Sequence, residues 1–413
     1  MADFKILSMS DSLLLHTGYT NQTKNIMSRL AMDKNFEIYH LGFQFMGEDT
    51  WYDPNGQILS AKNKEGMIRL LGARGGHPFC GDVLPAYIKN IKPHMTWVLA
   101  DTFFMMEPGP SVEFGWSLKV DFSPSLFTMY FPSDGEPMPL DCENVLKKAN
   151  YPIAMSKFAQ KQVLDEYGIQ TDVIQHGVDT NKFYPIDQSK RDEIRKKWSQ
   201  LLGIDLMNKF IILTVARNQG RKFLAEGIKS IADFAKDKKD VVYIMSCDPQ
   251  DPAGGGVNLY RLLQRWKMDH YTRFSGTSYW RGLPDKEYSE LFQMSDVHFL
   301  STSGEGWGIP NIESASSALP QIATDYTTTQ EIVVENNCGF SIPLAEKIMG
   351  TWNVYRGVVD KKKMTEALET LYKDESLRKE FGNNGRNAAI KLWDWDRKIF
   401  PQWKKFFYQT LGV

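Results

Sequence analysis

The sequence predicts an α/β protein of two doubly wound domains in series. Three observations carry this. Short apolar runs alternate with amphipathic segments over most of the length, the alternation pauses once and restarts, and 413 residues exceed what one hydrophobic core serves. The apolar runs at 4–9, 68–71, 96–100, 126–131, 153–155 and 173–175 read as strands, and 20–32, 82–90 and 158–167 as helices. Ile26, Met27 and Leu30 give the first helix its apolar stripe. The pause is the polar stretch 179–190, which contains Pro185. Beyond it Phe210-Ile211-Ile212-Leu213-Thr214-Val215 is a continuous run suited to a strand buried on both faces. Later strands are expected at 241–245, 297–300 and 321–324, with helices at 223–235, 285–294 and 309–318. The first domain is expected to span 1–185 and the second 186–389. Ligands in such folds bind beyond the carboxyl ends of the strands, so a cleft between two such domains would face both sets of loops.

Composition narrows the function classes. Hydrophobic residues make up 42% and charged residues 24%, as in ordinary globular proteins. Lys and Arg (49) nearly cancel Asp and Glu (50), which removes the electrostatic reason to expect nucleic acid as a partner. Cys80, Cys142, Cys247 and Cys338 form no CxxC pair, which argues against a zinc site or disulfide framework and suits a reducing cytosol. With no signal-peptide apolar region and no run of membrane-spanning length, a cytoplasmic location is the expectation. The loop 248–256, rich in Pro and Gly, is the most flexible by composition.

Two loops carry the chemistry. Ser301-Thr302-Ser303-Gly304-Glu305-Gly306-Trp307-Gly308-Ile309-Pro310-Asn311-Ile312-Glu313 follows a strand and opens a helix, with Pro310 in the first turn. Its glycines let backbone approach a ligand, and the helix start offers free N–H groups to an anion. Glu313 lies about one turn into that helix, where a carboxylate can accept two hydrogen bonds from a ribose diol. Val215-Ala216-Arg217-Asn218-Gln219-Gly220-Arg221-Lys222 also leaves a strand end. Arg217 offers a bidentate fork and Lys222 a point charge, both suited to a diphosphate. Taken singly, each loop reads equally well as a tight turn or a basic helix cap. Together they place cations and backbone donors at one sheet edge.

These residues resemble the GT-B fold retaining glycosyltransferases, family 4 (glycosyl transferases group 1). Glu305 and Glu313 form the Glu-x7-Glu pattern of that group, and Arg217 and Lys222 match its phosphate-binding pair at the same separation of five. The stretch from Val173-Ile174-Gln175-His176-Gly177-Val178-Asp179 to Pro185 looks like the family's inter-domain signature. Phe274-Ser275-Gly276 and Leu319 to Asp325 also fit. The resemblance covers roughly residues 152–340 well and the first 130 loosely. It implies two Rossmann-like domains facing an inter-domain cleft, the C-terminal one holding the donor and the N-terminal one the acceptor. A final helix over about 390–413 would complete the N-terminal domain. It implies that Glu313 holds the ribose, that Arg217 and Lys222 neutralise the leaving diphosphate, and that Glu305, Gly306, Trp307, Gly308 and Ile309 lie against sugar and phosphates. The donor would be a UDP- or GDP-linked hexose-type sugar and the acceptor a hydroxyl of a glycan, lipid or other molecule. No cofactor is implied, and protein cations replace a metal. Two departures stand out: Asp325-Tyr326-Thr327-Thr328-Thr329 where glycines are usual, and Trp307 where a smaller aromatic is usual. Both are expected to alter which sugar fits.

The N-terminal half offers Gly18 and Tyr19 after the first strand, which the resemblance places near the donor, with His16 beside them. Asp101 and Asp134 are candidates to meet the transferred sugar or the acceptor hydroxyl, and each reads as well as a turn residue or cap. His176 is assigned to the hinge. The aromatic, amphipathic terminus around Trp393, Trp395, Trp403 and Phe407 suits packing on the first domain, with peripheral membrane contact as the alternative. Competing functions are another GT-B enzyme, such as a nucleotide-sugar epimerase or a phosphorylase, and a non-catalytic nucleotide-sugar-binding scaffold.

Overall fold

The computed structural model describes residues 3–54, 56–62, 64–73, 77–102, 120–139, 142–251, 254–278 and 282–413. By contacts the chain divides into two units: Met1–Ser133, Pro137–His176 and Asp396–Val413 in one, Asp134–Glu136 and Gly177–Trp395 in the other.

In the first unit the strands are β1 (Phe4–Asp11), β2 (Phe36–Phe43), β3 (Thr50–Tyr52), β4 (Ile58–Leu59), β5 (Ile68–Leu71), β6 (Met95–Leu99), β7 (Leu126–Phe131), β8 (Tyr151–Ala154) and β9 (Asp172–Val173). They form one sheet in the order β4-β3-β5-β2-β1-β6-β7-β8-β9. All pairings are parallel except those of β3. The connecting helices are α1 (Gly18–Ala31), α2 (Leu84–Ile91), α3 (Cys142–Lys148) and α4 (Lys157–Tyr167). Thr17 caps α1, its Oγ1 accepting from the Thr20 amide at 3.1 Å, which satisfies a donor with no partner in the helix. β2 is a strand the sequence pattern hides, because Glu37 and His40 interrupt its apolar run. His40 is buried there and held by Ser8 Oγ at 2.9 Å and by the Asp11 carbonyl at 3.2 Å. Burial lowers its pKa to about 4, so it stays neutral.

Residues 396–413 pack on this unit. In the last helix, which ends the chain at Phe400–Leu411, Trp403 and Phe407 are buried. Trp403 meets Trp97 and Tyr130 edge to face, with ring centroids 5.6 and 4.8 Å apart. Its aromatic face is thereby covered by protein, and a membrane-surface helix needs that face exposed. Among the described residues no helix is long and apolar enough to cross a membrane.

In the second unit, β10 (Phe210–Val215), β11 (Val241–Ser246), β12 (Thr272–Phe274), β13 (Val297–Leu300), β14 (Gln321–Thr324) and β15 (Gly339–Ile342) form a parallel sheet. Its order is β12-β11-β10-β13-β14-β15. A separate antiparallel hairpin follows, β16 (Leu344–Met349) and β17 (Tyr355–Val359). The helices are α5 (Gln188–Leu202), α6 (Leu224–Ala235), α7 (Leu259–Arg265), α8 (Asp285–Met294), α9 (Ile309–Ser316), α10 (Lys361–Lys373) and α11 (Glu375–Ala388); the terminal helix Phe400–Leu411 is α12. Along β10 the side chains alternate between two cores. Phe210 and Ile212 join one, with Ile228, Phe234 and Leu368, while Ile211, Leu213 and Val215 join the other, with Phe292, Ile312 and Trp393. That is why the strand is apolar at every position but Thr214, whose hydroxyl donates to the Phe299 carbonyl at 2.7 Å.

The division between units falls at His176/Gly177 rather than after Pro185. Val178 bonds the Trp393 carbonyl at 2.8 Å, Thr180 Oγ1 donates to Asp394, and Phe183 is buried in the second core. Residues 390–395 therefore stay with the second unit. A Cβ on Gly177 would lie 2.5 Å from the Trp395 ring, so this turn needs glycine. His176 ends the first unit. It is buried, its Nδ1 lies 2.8 Å from the Tyr130 hydroxyl, and burial lowers its pKa to about 3. All four cysteines are free thiols and buried. Burial pushes Cys80 and Cys338 up to about 12.

Candidate active site

In the second unit the strand order changes direction between β10 and β13. The loops leaving their carboxyl ends splay apart there, which is where open α/β sheets take ligands. Residues 216–223 and 301–308 form these two loops. After β10 the chain makes a single 3-10 turn, Gly220–Lys222, and Phe223 at φ 44° starts α6. The second loop is stitched to the first. Ser303 donates from its amide and its hydroxyl to the Arg221 carbonyl at 2.8 and 2.7 Å, and Ser301 Oγ donates to the Phe223 carbonyl at 2.9 Å.

This stitching brings Lys222 to Glu305. Lys222 Nζ donates to Glu305 Oε1 at 2.5 Å, and the side chains are only 11% and 8% exposed. Arg221 adds a contact to Glu305 Oε2 at 3.4 Å and donates to the Gly304 carbonyl at 3.0 Å. Burial, and then Arg221, lower the Lys222 pKa to about 8, against the pull of Glu305. Lys222 thus keeps its charge at neutral pH. Burial pushes the Glu305 carboxyl up, but Lys222 and Arg221 outweigh it and hold it below the usual value. The pair is ionised on both sides.

Arg217 is held elsewhere in the same loop. Its Nε donates to Asp251 Oδ2 at 2.6 Å, with the Arg217 side chain 38% exposed and Asp251 1% exposed. The loop carrying Asp251 is the Pro- and Gly-rich one, and it is pinned rather than loose. Asn218 Nδ2 donates to the Val257 carbonyl at 2.7 Å, and Asn218 Oδ1 accepts from the Val257 amide at 3.2 Å. Gly254 and Gly256 approach Asn218 so closely that a Cβ on either would fall 2.1 Å from it. Pro252 and Ala253 lie outside the described residues.

Glu313 sits in α9, 2% exposed, and accepts from the Tyr288 hydroxyl at 2.7 Å. Burial raises its pKa to about 7, with Tyr288 and Lys182 pulling the other way. Lys182 is paired with Asp285 at 2.7 Å and lies over the Tyr288 ring. Gly308 caps α9 at φ 93°. Gly306 and Ile309 are half-buried at the start of the helix. Trp307 is 3% exposed and its indole packs edge to face on Trp393 in the core.

The second departure from the family pattern, at 325–329, also has a structural account. Thr327 Oγ1 accepts from the Glu305 amide at 3.0 Å, and Thr328 Oγ1 donates to the Trp307 carbonyl at 2.7 Å. Tyr326 donates its hydroxyl to the Tyr355 carbonyl at 2.8 Å. Thr327 and Thr328 brace the loop that carries Glu305, while Tyr326 ties the same stretch to the hairpin.

Asp134 belongs to the second unit. It pairs with Arg356 at 2.8 Å and lies 3.5 Å from Arg221. Gly304, at φ 154°, backs onto it: a Cβ there would sit 1.9 Å from the Asp134 carbonyl oxygen. In the first unit, Gly18 starts α1 on the surface, and the neighbouring Tyr19 donates to Asp101 Oδ1 at 3.0 Å. His16 is exposed nearby. The change of direction in that sheet lies between β1 and β6, so these residues leave the strand ends flanking it. Asp101 and Asp134 therefore belong to different units. The sequence reading assigned no site role to Arg356, Asp251 or Tyr288, and none to Lys182 or Thr327 individually, although these two lie in the inter-domain signature and in the 325–329 departure. Asp251, Tyr288 and Arg356 carry no local motif and reach the site from separate elements.

Comparison with known proteins adds to this geometry. Residues 195–388 match the family described as glycosyl transferases group 1. Among curated relatives, the alpha-maltose-1-phosphate synthase of Mycolicibacterium smegmatis is 24% identical over 255 residues, which cover 60% of this chain and 61% of that protein. The mannosylfructose-phosphate synthase of Agrobacterium fabrum is 21% identical over 188 residues, covering 44% of this chain and 38% of that one. The chain thus spans less than two thirds of either relative's length. Among solved structures, sucrose-phosphate synthase from Thermosynechococcus elongatus superposes with a TM-score of 0.71 at 15% identity, covering 99% of both chains. Anabaena HepE in complex with UDP-glucose gives 0.71 at 13% identity, covering 98% of this chain and 100% of that one. At such identities these two matches speak to fold alone. The chain has the GT-B α/β fold of these glycosyltransferases, and residues 195–388 are a glycosyl transferases group 1 domain, an enzyme domain of the transferase class.

Proposed function

We propose that this chain is a retaining family 4 glycosyltransferase acting in the cytoplasm, moving a hexose-type sugar from a UDP- or GDP-linked donor to an acceptor hydroxyl. The observation that carries the reading is the ionised Lys222–Glu305 pair with Arg221, fixed between two stitched loops at the switch point of a parallel sheet. Such a site offers a preorganised cation where a diphosphate would depart. The similarity of the fold to a protein solved with UDP-glucose supports the same donor class.

In this reading the bond from the sugar's anomeric carbon to the diphosphate oxygen breaks, and negative charge builds on that oxygen. Lys222 and Arg217 stabilise it, without need of a metal. The acceptor oxygen bonds the anomeric carbon, and its proton passes to the departing diphosphate oxygen. Glu313, buried one turn into α9, accepts from the ribose diol; its nearly neutral pKa of about 7 makes the proton it holds exchangeable on binding. Both oxygens of Glu305 are engaged by cations, which suits a residue that orients Lys222 and not a nucleophile. Asp101 and Asp134 are the candidates for the sugar or the acceptor hydroxyl.

The test is a calorimetric and thermal-shift screen against UDP, GDP and ADP and their sugar conjugates, with and without chelator, followed by product analysis with and without acceptors. A nucleotide present at a hundred times its Kd should stabilise the protein by about 2.7 kcal/mol. Binding of none of them would overturn the donor assignment. Donor-only conversion to an epimer would replace the transferase reading with an epimerase.

A further inference from the structure

We propose that Arg356, on the hairpin β16–β17, is a positioning residue for this reaction: it holds the carboxylate of Asp134 in place beside Arg221. The inference rests on the transferase reading above.

The hairpin is tied into the site at three points, all by backbone. The Tyr355 carbonyl accepts from the Tyr326 hydroxyl at 2.8 Å, and the Tyr355 amide donates to the Glu136 carbonyl at 2.7 Å. The Gly357 amide donates to the Ser303 carbonyl at 3.0 Å. Arg356 lies between these ties, its side chain 11% exposed. Its Nη1 donates to the Asp134 carbonyl at 2.6 Å and sits 2.8 Å from Asp134 Oδ1. One guanidinium nitrogen thus fixes both the backbone and the side chain of the same residue. The other carboxylate oxygen, Oδ2, is 3.5 Å from Arg221 Nε.

Glycines make this approach feasible. A Cβ on Gly135 would strike Val354 Cγ1 at 2.4 Å, and one on Gly304 would fall 1.9 Å from the Asp134 carbonyl oxygen. Three chain segments therefore converge on Asp134. Yet its side chain keeps 30% of its exposure, so the carboxylate is oriented without being sealed off. Two guanidinium groups approach its two oxygens and orient it, which is what a group meeting a sugar or acceptor hydroxyl requires. Arg221 is shared between Glu305 and Asp134. Without Arg356, Arg221 would be the cation left to orient Asp134 while also serving Glu305. Arg356 therefore acts on the reaction through Asp134.

The experiment is a double-mutant cycle on the full chain with Arg356→Met and Asp134→Asn. The readout is release of nucleoside diphosphate from UDP-glucose, GDP-mannose or ADP-glucose, whichever the wild type cleaves, with melting temperature recorded for each variant. Each single variant should lose between about ten- and a hundredfold in kcat, with KM for the donor within about threefold, as for misplacement of a reacting group. The double variant should be no slower than the worse single one, and Arg356→Lys should recover part of the loss. Lys347→Met removes the hairpin's ion pair to Glu136, a half-exposed contact, and should leave kcat within about twofold. Losses that multiply in the double variant, or a Lys347→Met loss equal to that of Arg356→Met, would overturn the positioning role. A wild type that cleaves no donor would remove the transferase reading and the inference together; an active wild type with independent losses removes the inference alone.

Discussion

Removing the amine of Lys222 tests the site most directly, because stability and chemistry can be read apart. In Lys222→Ala the Glu305 carboxylate loses its 2.5 Å partner while 8% exposed, keeping Arg221 at 3.4 Å and the Thr302 side chain. Breaking a buried pair from one side costs roughly 3–5 kcal/mol. The remaining Arg221 contact places the change at the lower end, about 3 kcal/mol, which for a unit of this size is a drop of about 6–12 °C in melting temperature. Separately, losing a cation aimed at developing charge should slow turnover by about a hundredfold or more. The double variant Lys222→Ala/Glu305→Gln removes the stranded charge as well. It should regain most of the melting temperature and none of the turnover, measured as nucleoside diphosphate release under saturating donor. Recovery of turnover along with stability would refute the catalytic assignment, since it would show that Lys222 serves only to neutralise Glu305.

Other outcomes follow from the same geometry. Burial raises Glu313 from 4.5 to about 7, so its neutral form favours the folded state; that contribution is complete below about 4.5 and is lost as pH rises through 7. Wild-type melting temperature should therefore carry a downward slope from pH 5 to 8 that Glu313→Gln flattens, as read by scanning calorimetry in matched buffers. Gly304→Ala should cost at least about 1–3 kcal/mol from backbone strain at φ 154°. Its Cβ would also displace Asp134, so kcat should fall with it in the release assay. Trp307→Phe should lower the melting temperature by leaving space beside Trp393 while leaving unchanged which sugar nucleotide is cleaved; a switch of donor would show Trp307 to be a pocket residue.

Much of the second unit could be read from the chain because its signals are local. β10, β13, β14 and α8 lie where apolar runs and helix signals put them, since a buried parallel strand must be apolar on both faces. The fold class follows from that alternation. What escaped depends on tertiary context. α5 buries only Ile194, Arg195 and Trp198 and otherwise reads as a polar tract, so it merged with the inter-domain pause. β2 hides behind a histidine that is satisfied only by its neighbours across the sheet. At the site, Lys222, Glu305, Arg217 and Glu313 stand in two motifs. Asp251 and Arg356, which orient Arg217 and Asp134, are remote in sequence and carry no spacing rule. The bulk of Trp307 was visible in the sequence, but its inward direction was not, because direction is decided by packing against Trp393.

The buried thiols give the protein a built-in clock. Cys80 and Cys142 belong to the first unit, Cys247 and Cys338 to the second, and all four are shielded from solvent. A thiol held near 12 is almost wholly protonated and inert toward alkylating reagents until its surroundings open. Labelling with an alkylating reagent followed by peptide mass spectrometry would therefore time the opening of each unit separately, in one tube and without any engineered probe. Adding a nucleotide that binds the second unit should slow modification of Cys247 and Cys338, turning ligand discovery into a measurement of lag.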